Sequence, residues 1–169
     1  EQYILSDKNL GYSKGHNIAS EYVKTKFLLI MNADCFIEKK DILILMKKYE
    51  SYQDCGLIAP TSFNYEGQIT YNGGLLPEFG DKKIPINLDG DICVQSVLGS
   101  CMFLNYLEFQ KIGKFDENMF LFFSDDYLCK KIKESSKSVI QTYDAKCLHM
   151  HGISKVKNIY KKTFLLNYY

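Results

Sequence analysis

Phe27-Leu28-Leu29-Ile30-Met31-Asn32-Ala33-Asp34 is the stretch on which the fold turns. Five apolar residues in a row suit a strand buried on both faces, which a parallel sheet supplies. The run stops abruptly at Asn32-Ala33-Asp34, so a carboxylate stands at the carboxyl end of the strand. Open α/β sheets bind their ligands at that edge. A carboxylate there can hold a hard divalent cation, and the cation in turn binds phosphate oxygens. A plain turn start is an equally open role for Asp34, because Asx residues favour such positions.

Upstream, residues 1–5 can close a strand, and Asn9-Leu10-Gly11-Tyr12-Ser13 is turn chemistry. Ser13 is placed to cap a helix in which Ile18, Ala19, Tyr22 and Val23 recur at helical spacing. Downstream, Asp41 is placed to cap a second helix with Ile42, Leu43, Leu45, Met46 and Tyr49 on its apolar side. Residues 56–60 read as another buried strand. Residues 64–92 carry two of the three prolines and a scatter of glycines, which predicts hairpins or a long loop. A strand over 94–104 is interrupted by Gly99-Ser100, and a short helix over 107–112 stops at Gly113. An aromatic segment, 115–123, leads into a helix opening at Ser124-Asp125-Asp126. A strand over 138–142, a polar loop from His149 and a lysine-rich helix complete the chain. This alternation predicts an α/β sandwich around a mostly parallel central sheet.

A length of 169 residues fits one domain, and 46% hydrophobic residues suffice for a core. The formal charge of +1 leaves no global field to favour nucleic acid or anionic membrane. Apart from histidine, every basic residue is lysine. That lack of arginine, with abundant Ile, Asn, Lys and Tyr, resembles proteins of AT-rich bacterial genomes. The six cysteines form no CxxC pair and sit mostly in apolar stretches. They read as buried free thiols of a reducing compartment, and their spacing lacks the clustering of a zinc site. No apolar run reaches the roughly 18 residues that span a bilayer. The start lacks an initiator Met and the end lacks a polar tail, so both termini read as cuts through a longer chain.

Two further polar clusters interrupt apolar elements. Ser124-Asp125-Asp126 follows an aromatic wall, Phe120 to Phe123. Adjacent carboxylates at a helix start suit the helix dipole, so capping accounts for at least one of them. A carboxylate desolvated by that wall has a raised pKa and more value as a base. His149-Met150-His151-Gly152-Ile153-Ser154 places two imidazoles, common metal ligands, in a glycine-containing loop; a structural role is the alternative.

Taken in order, these segments resemble glycosyltransferase family 2, in particular its bacterial rhamnosyltransferase-like branch, over nearly the whole length. Asn9-Leu10-Gly11-Tyr12 followed by Asn17 is similar to that family's N-x-G-(x)n-N segment. Residues 27–34 resemble its strand ending in Asn-Pro-Asp, with Ala33 in the proline's place. Val97-Leu98-Gly99-Ser100-Cys101-Met102 resembles V-x-G-(A/S)-x-M. Gly113-Lys114-Phe115-Asp116-Glu117-Asn118-Met119-Phe120 resembles G-x-F-D-E-x-F-F. Residues 123–131 resemble x-E-D-x-D-L-C-x-R, and residues 149–154 fit H-x-x-G-x-S. Three departures stand out: Ser124 replaces the usual Glu, Tyr127 the second acid, and Lys131 the arginine.

The resemblance implies a GT-A-type, Rossmann-like α/β/α sandwich lacking its first strand. Residues 1–60 would form the remainder of a nucleotide-sugar-binding half and residues 61–154 an acceptor and catalytic half. Residues 155–169 would start a C-terminal helical extension. It implies inverting sugar transfer from a nucleotide-diphosphate sugar to a glycan or lipid-linked acceptor. Asp125 aligns with the family's base, and Asp126 could replace it if the turn is rotated. Asn17, Asn32, Asp34, Gly99 and Ser100 are the expected donor-binding residues. Asp34 and His149, with His151 as the fallback, are the expected ligands of Mg²⁺ or Mn²⁺. Lys155, Lys157, Lys161 and Lys162 form either a solvated helix face or a dock for anionic lipid, which would put a cytoplasmic enzyme on the inner face of the cell membrane. A sugar-nucleotide nucleotidyltransferase and a non-catalytic glycan- or nucleotide-binding module are the competing expectations.

Overall fold

The computed structural model describes residues 3–70, 73–74 and 90–150. The expected strand over residues 1–5 is absent from residues 3–5, which are irregular. Helix α1 (Gly11–Ser20) is followed by β1 (Phe27–Met31), β2 (Cys35–Ile37), α2 (Lys39–Ser51) and β3 (Cys55–Phe63). Then come β4 (Gly73–Gly74), β5 (Asp91–Cys93), β6 (Ser96–Val97), β7 (Cys101–Asn105), α3 (Tyr106–Lys111), α4 (Ser124–Glu134) and β8 (Ser138–His149). Most of the loop expected over 64–92, and everything beyond Met150, lies outside the described residues. That includes His151 and the lysine-rich extension.

The α/β architecture matches expectation, but the sheet is mixed rather than mostly parallel. Its order is β1-β7-β3-β8-β2, with β5 also on β8. Among the described residues β3 with β8 is the parallel pairing; β1 with β7, β7 with β3, β2 with β8 and β5 with β8 are antiparallel. The physical reason lies in the connections. β7 inserts between β1 and β3 and β2 adds to β8, each antiparallel to strands distant in sequence, and such pairs need no crossover helix between them. The pairings still leave β1, β3 and β8 pointing one way, because β7 is antiparallel to both β1 and β3. The carboxyl ends of β1 and β8 and the start of β7 therefore share one sheet edge.

Burial follows position in the sheet. β1, at one end of the described order, is half-buried apart from Ile30. Complete burial falls instead on the inner strands, over residues 55–62 of β3 and 101–104 of β7. Leu45, Leu57, Ile58, Met102, Leu104, Phe109, Leu128 and Ile132 fill the core between sheet and helices.

Two expected helix caps do other work. Ser13 lies inside α1, fully buried, and its hydroxyl donates to Ser124 Oγ at 2.8 Å. The N-cap of helix α1 is instead Leu10, with Asn9 Oδ1 accepting from Gly11 N at 3.0 Å. Asp41 lies in the first turn of α2, but its buried carboxylate accepts from Lys146 N at 2.9 Å. That amide sits where the β3–β8 register jumps from Pro60 opposite Thr142 to Thr61 opposite Lys146. The bulge would otherwise strand backbone groups in the interior. Thr61 Oγ1 completes the repair by donating to Thr142 O at 2.9 Å.

The start of α1 is held against the segment leading to α4. Tyr12 N donates to Phe120 O at 2.6 Å, and Gly11 has φ +75° with no room for a side chain. A Cβ there would stand 2.3 Å from Phe120 O. Gly11→Ala should therefore destabilise the fold by about 2 kcal/mol or more, from left-handed strain plus the clash. Gly15→Ala, on the same helix with no atom within 4 Å of the new Cβ, should be neutral or stabilise by up to about 1 kcal/mol. Urea denaturation of both variants checks the pair; equal effects would show that the Gly11 contact carries no strain.

Candidate active site

The shared edge gathers the three polar clusters through backbone hydrogen bonds. Asn32 N donates to Ser100 O at 2.9 Å, and Cys35 N to Asn32 O at 3.1 Å. The turn after β1 is thus tied to the start of β7. Met150 N donates to Asp34 O at 3.0 Å, which ties the same turn to the end of β8. His149 Nε2 then stands 3.5 Å from Asp34 Oδ1, both side chains mostly buried. Asn32 is half-buried beside them.

The second cluster joins through Gly99. Gly99 N donates to Asp125 Oδ2 at 2.7 Å, while Tyr12 donates its hydroxyl to Gly99 O at 2.6 Å. One residue is gripped through both of its backbone groups, and a Cβ at Gly99 would meet Tyr12 Oη at 2.7 Å and Asp125 Cβ at 3.1 Å. Glycine is required by this close approach. Ser100, next in the chain, is buried, and its carbonyl holds the Asn32 turn.

Asp125 and Asp126 occupy the first turn of α4, where the helix dipole favours negative charge. Asp125 Oδ1 also accepts from Asp126 N at 3.1 Å. Burial, with the neighbouring Asp126 charge added, pushes the Asp125 carboxyl above its ordinary value; its backbone hydrogen bonds resist but do not cancel this. The Tyr12 hydroxyl is pushed well up by its own burial and by the Asp125 charge, so it remains a proton donor to Gly99. Phe123, at the N-cap of α4, adopts a left-handed conformation at φ +63°. For a bulky residue that costs roughly 1–2 kcal/mol, a strain stored one turn from the carboxylates.

Asn17 departs from expectation. Its Nδ2 donates to Phe115 O at 3.0 Å and to Glu117 Oε1 at 3.2 Å, while Oδ1 accepts from Phe115 N at 3.1 Å. With both donors and its acceptor occupied in a buried clamp, the amide holds the segment before α4 and offers nothing to a donor. Ser124, which stands where the resembling family has Glu, points inward to Ser13. Its side chain therefore serves the packing of α1 on α4. His151 lies outside the described residues.

Sequence reasoning missed two neighbours of the site. Tyr12 was visible only as part of a turn. Cys35 was grouped with inert buried thiols, yet its Sγ, an Asp34 oxygen and a His149 ring nitrogen all lie within 4.8 Å of one another. The signal that could have found it is period two: Cys35 and Ile37 alternate with exposed Phe36, as Cys147 and His149 alternate with Leu148. The thiol of Cys35 is itself pushed up by a hydrogen bond with Cys147 and by burial. Carboxylate, imidazole and sulfur donors so close together can hold a divalent cation, so the residues present fit a metal at this edge.

Comparisons with known proteins bear on the fold and the family. The structure is similar to a crystal structure of GalNAc-T7 with UDP, GalNAc and Mn²⁺, with a TM-score of 0.71 at 11% sequence identity, over 88% of this chain and 32% of that one. This likeness identifies the α/β arrangement as the GT-A fold. In sequence, the chain is 26% identical to the low-salt glycan biosynthesis hexosyltransferase Agl10 of Haloferax volcanii, over 92% of this chain. It spans about half the length of that curated relative, 53%. Residues 2–103 match the model of a family described as glycosyl transferase family 2, and with more than half of its length matched the chain belongs to that family.

Proposed function

We propose that this chain carries inverting transfer of a sugar from a nucleotide-diphosphate donor to an acceptor hydroxyl, in the synthesis of a bacterial surface polysaccharide or other glycan. The observation that carries this reading is the convergence at one sheet edge of Asp34 and His149, 3.5 Å apart, with the Gly99–Asp125 contact at 2.7 Å. Residues 1–60 would supply most of the donor side and residues 61–154 most of the acceptor side. GalNAc-T7 with UDP and Mn²⁺ and the hexosyltransferase Agl10 support a nucleotide sugar as donor.

Asp34 and His149 would hold a divalent cation, Mg²⁺ or Mn²⁺ on the family pattern. When bound, it would supply Lewis-acid stabilisation of the charge that develops on the departing diphosphate. Asn32 would hydrogen-bond ribose or phosphate oxygen. Gly99, bare of side chain, and Ser100 would let the substrates approach the backbone. Asp125 would take the proton of the acceptor hydroxyl as that oxygen attacks the anomeric carbon from the face opposite the diphosphate, which inverts the centre. Asp126, half-buried on the next position of the helix start, is the alternative base. The raised pKa of Asp125 suits a base, since proton affinity rises with it.

Asp125→Asn should lower transfer by about 10²–10⁴-fold, the usual worth of general-base help. Nucleotide affinity should be unchanged. The melting temperature should shift little, because the loss of an acceptor for one of two backbone amides and the removal of a carboxylate with a raised folded-state pKa act in opposite directions. Transfer at near wild-type rate, read as released nucleotide with Mn²⁺ present, would remove Asp125 from the base role.

The same shift sets a pH dependence. The base works only when ionised, so kcat/KM should fall as pH drops through the raised Asp125 value. That inflection should lie above the ordinary aspartate value and vanish in Asp125→Asn. An inflection unchanged in the variant would assign it to another group.

No helix among the described residues is long and apolar enough to cross a membrane. We propose peripheral contact with anionic lipid on the cytoplasmic side, through Lys155, Lys157, Lys161 and Lys162, close to lipid-linked acceptors. Removing residues 155–169 should then abolish flotation with phosphatidylglycerol vesicles at low salt. Undiminished flotation would exclude that contact.

A further inference from the structure

The sheet edge carries a donor that the family pattern does not include. β2 opens at Cys35, one residue past Asp34, and its register with β8 sets Cys35 directly opposite His149. Directly opposed residues of an antiparallel pair project from one face with Cβ atoms about 4.5–5.5 Å apart. This brings thiol, imidazole and the adjacent carboxylate to within 4.8 Å of one another. Cys35 is 4% exposed and His149 8%, so the donors are screened from water. The Asp34 side chain keeps 14% of its surface, which leaves the cluster open on one side.

We propose that Cys35 is a metal ligand, and that Asp34, Cys35 and His149 form a carboxylate–thiolate–imidazole site selective for a thiophilic divalent cation such as Zn²⁺ over Mg²⁺. This rests on the transferase reading above for the site's purpose and departs from it on the metal, since a thiophilic cation takes the place of the Mg²⁺ of the family pattern. Mg²⁺ takes oxygen donors in octahedral geometry and has little use for sulfur. Zn²⁺ accepts sulfur, nitrogen and oxygen together, and three protein ligands with a fourth position left open are the pattern of its catalytic sites. Charge agrees: one thiolate and one carboxylate neutralise a dication, so a mostly buried site carries no net charge. Metal binding to such a ligand releases the thiol proton. Cys147 lies two residues before His149 on the same face of β8, and with Cys101 it packs against Cys35 in a small buried cluster. The competing role for Cys35 is membership of that thiol cluster alone, and the test must separate the two.

The test is a Co²⁺ titration of the chain read by absorption, since cobalt reports sulfur ligation through a thiolate-to-metal charge-transfer band in the near ultraviolet. The wild type should show the band, Cys147→Ser should keep it, and Cys35→Ser should lose it and bind Co²⁺ about tenfold or more weakly. Zn²⁺ should displace the cobalt, whereas Mg²⁺ in large excess should not. No band in the wild type would overturn the proposal without any variant having to fold. A band retained in Cys35→Ser, or displacement by Mg²⁺ as readily as by Zn²⁺, would overturn it as well. Donor turnover is a separate readout. The Cys35-dependent band without turnover upholds the ligand and counts against the transferase, while Mg²⁺-supported turnover without the band does the reverse.

Discussion

The parallel ladder between β3 and β8 is the interaction on which the site depends. It sets β8 running in the direction of β3, and β7, antiparallel to both β3 and β1, sets β1 in that direction too. The ends of β1 and β8 therefore emerge at one edge. Were β8 reversed, His149 would lie a strand length from Asp34, about 30–40 Å for twelve residues. The pairing is not regular along its length. It shifts register after Pro60, and the buried Asp41 carboxylate on α2 accepts the amide that the shift leaves over. Helix packing and strand register are thus coupled through one hydrogen bond.

A second constraint is the crowding around Gly99. Tyr12 from α1 and Asp125 from α4 close on the same residue, and only glycine permits both. The arrangement holds a carboxylate where its charge is unfavourable, beside a residue, Phe123, in a strained backbone conformation. Neither feature contributes to stability. Both sit at the start of α4, next to the β7 edge, and local disadvantage of this kind is common where a carboxylate must act as a base. The cost is carried by the interior below, where Leu128, Cys129 and Ile132 of α4 are buried against the sheet.

Much of this was legible in the chain before any coordinates. The apolar run at Phe27–Met31, the glycine break before Cys101 and the paired acids opening a helix each stand where the pattern placed them. Other expectations failed for identifiable reasons. Ser13 and Asp41 have the residue types and positions of helix caps, but each side chain found a buried partner far along the chain. Asn17 has the look of a binding amide and is consumed in a clamp on Phe115. The apolar run of β1 suggested burial on both faces, whereas that burial belongs to β3 and β7. Hydrophobic runs report that a strand is apolar; they do not report which strands lie beside it.

From its sequence alone the protein's donor inventory was determined: a carboxylate after a strand, two at a helix start, an imidazole in a polar loop, and glycines where the backbone must approach closely. These follow from residue type and local periodicity, which act over one or two turns of chain. Tertiary structure decided which of these donors meet. The polarity of β1, β3 and β8, the antiparallel insertion of β7, and the three-residue strand that sets Cys35 across from His149 all come from pairings between residues up to about a hundred positions apart. Such pairings are selected by how whole surfaces pack and how buried amides are satisfied, and no local window of sequence contains that information.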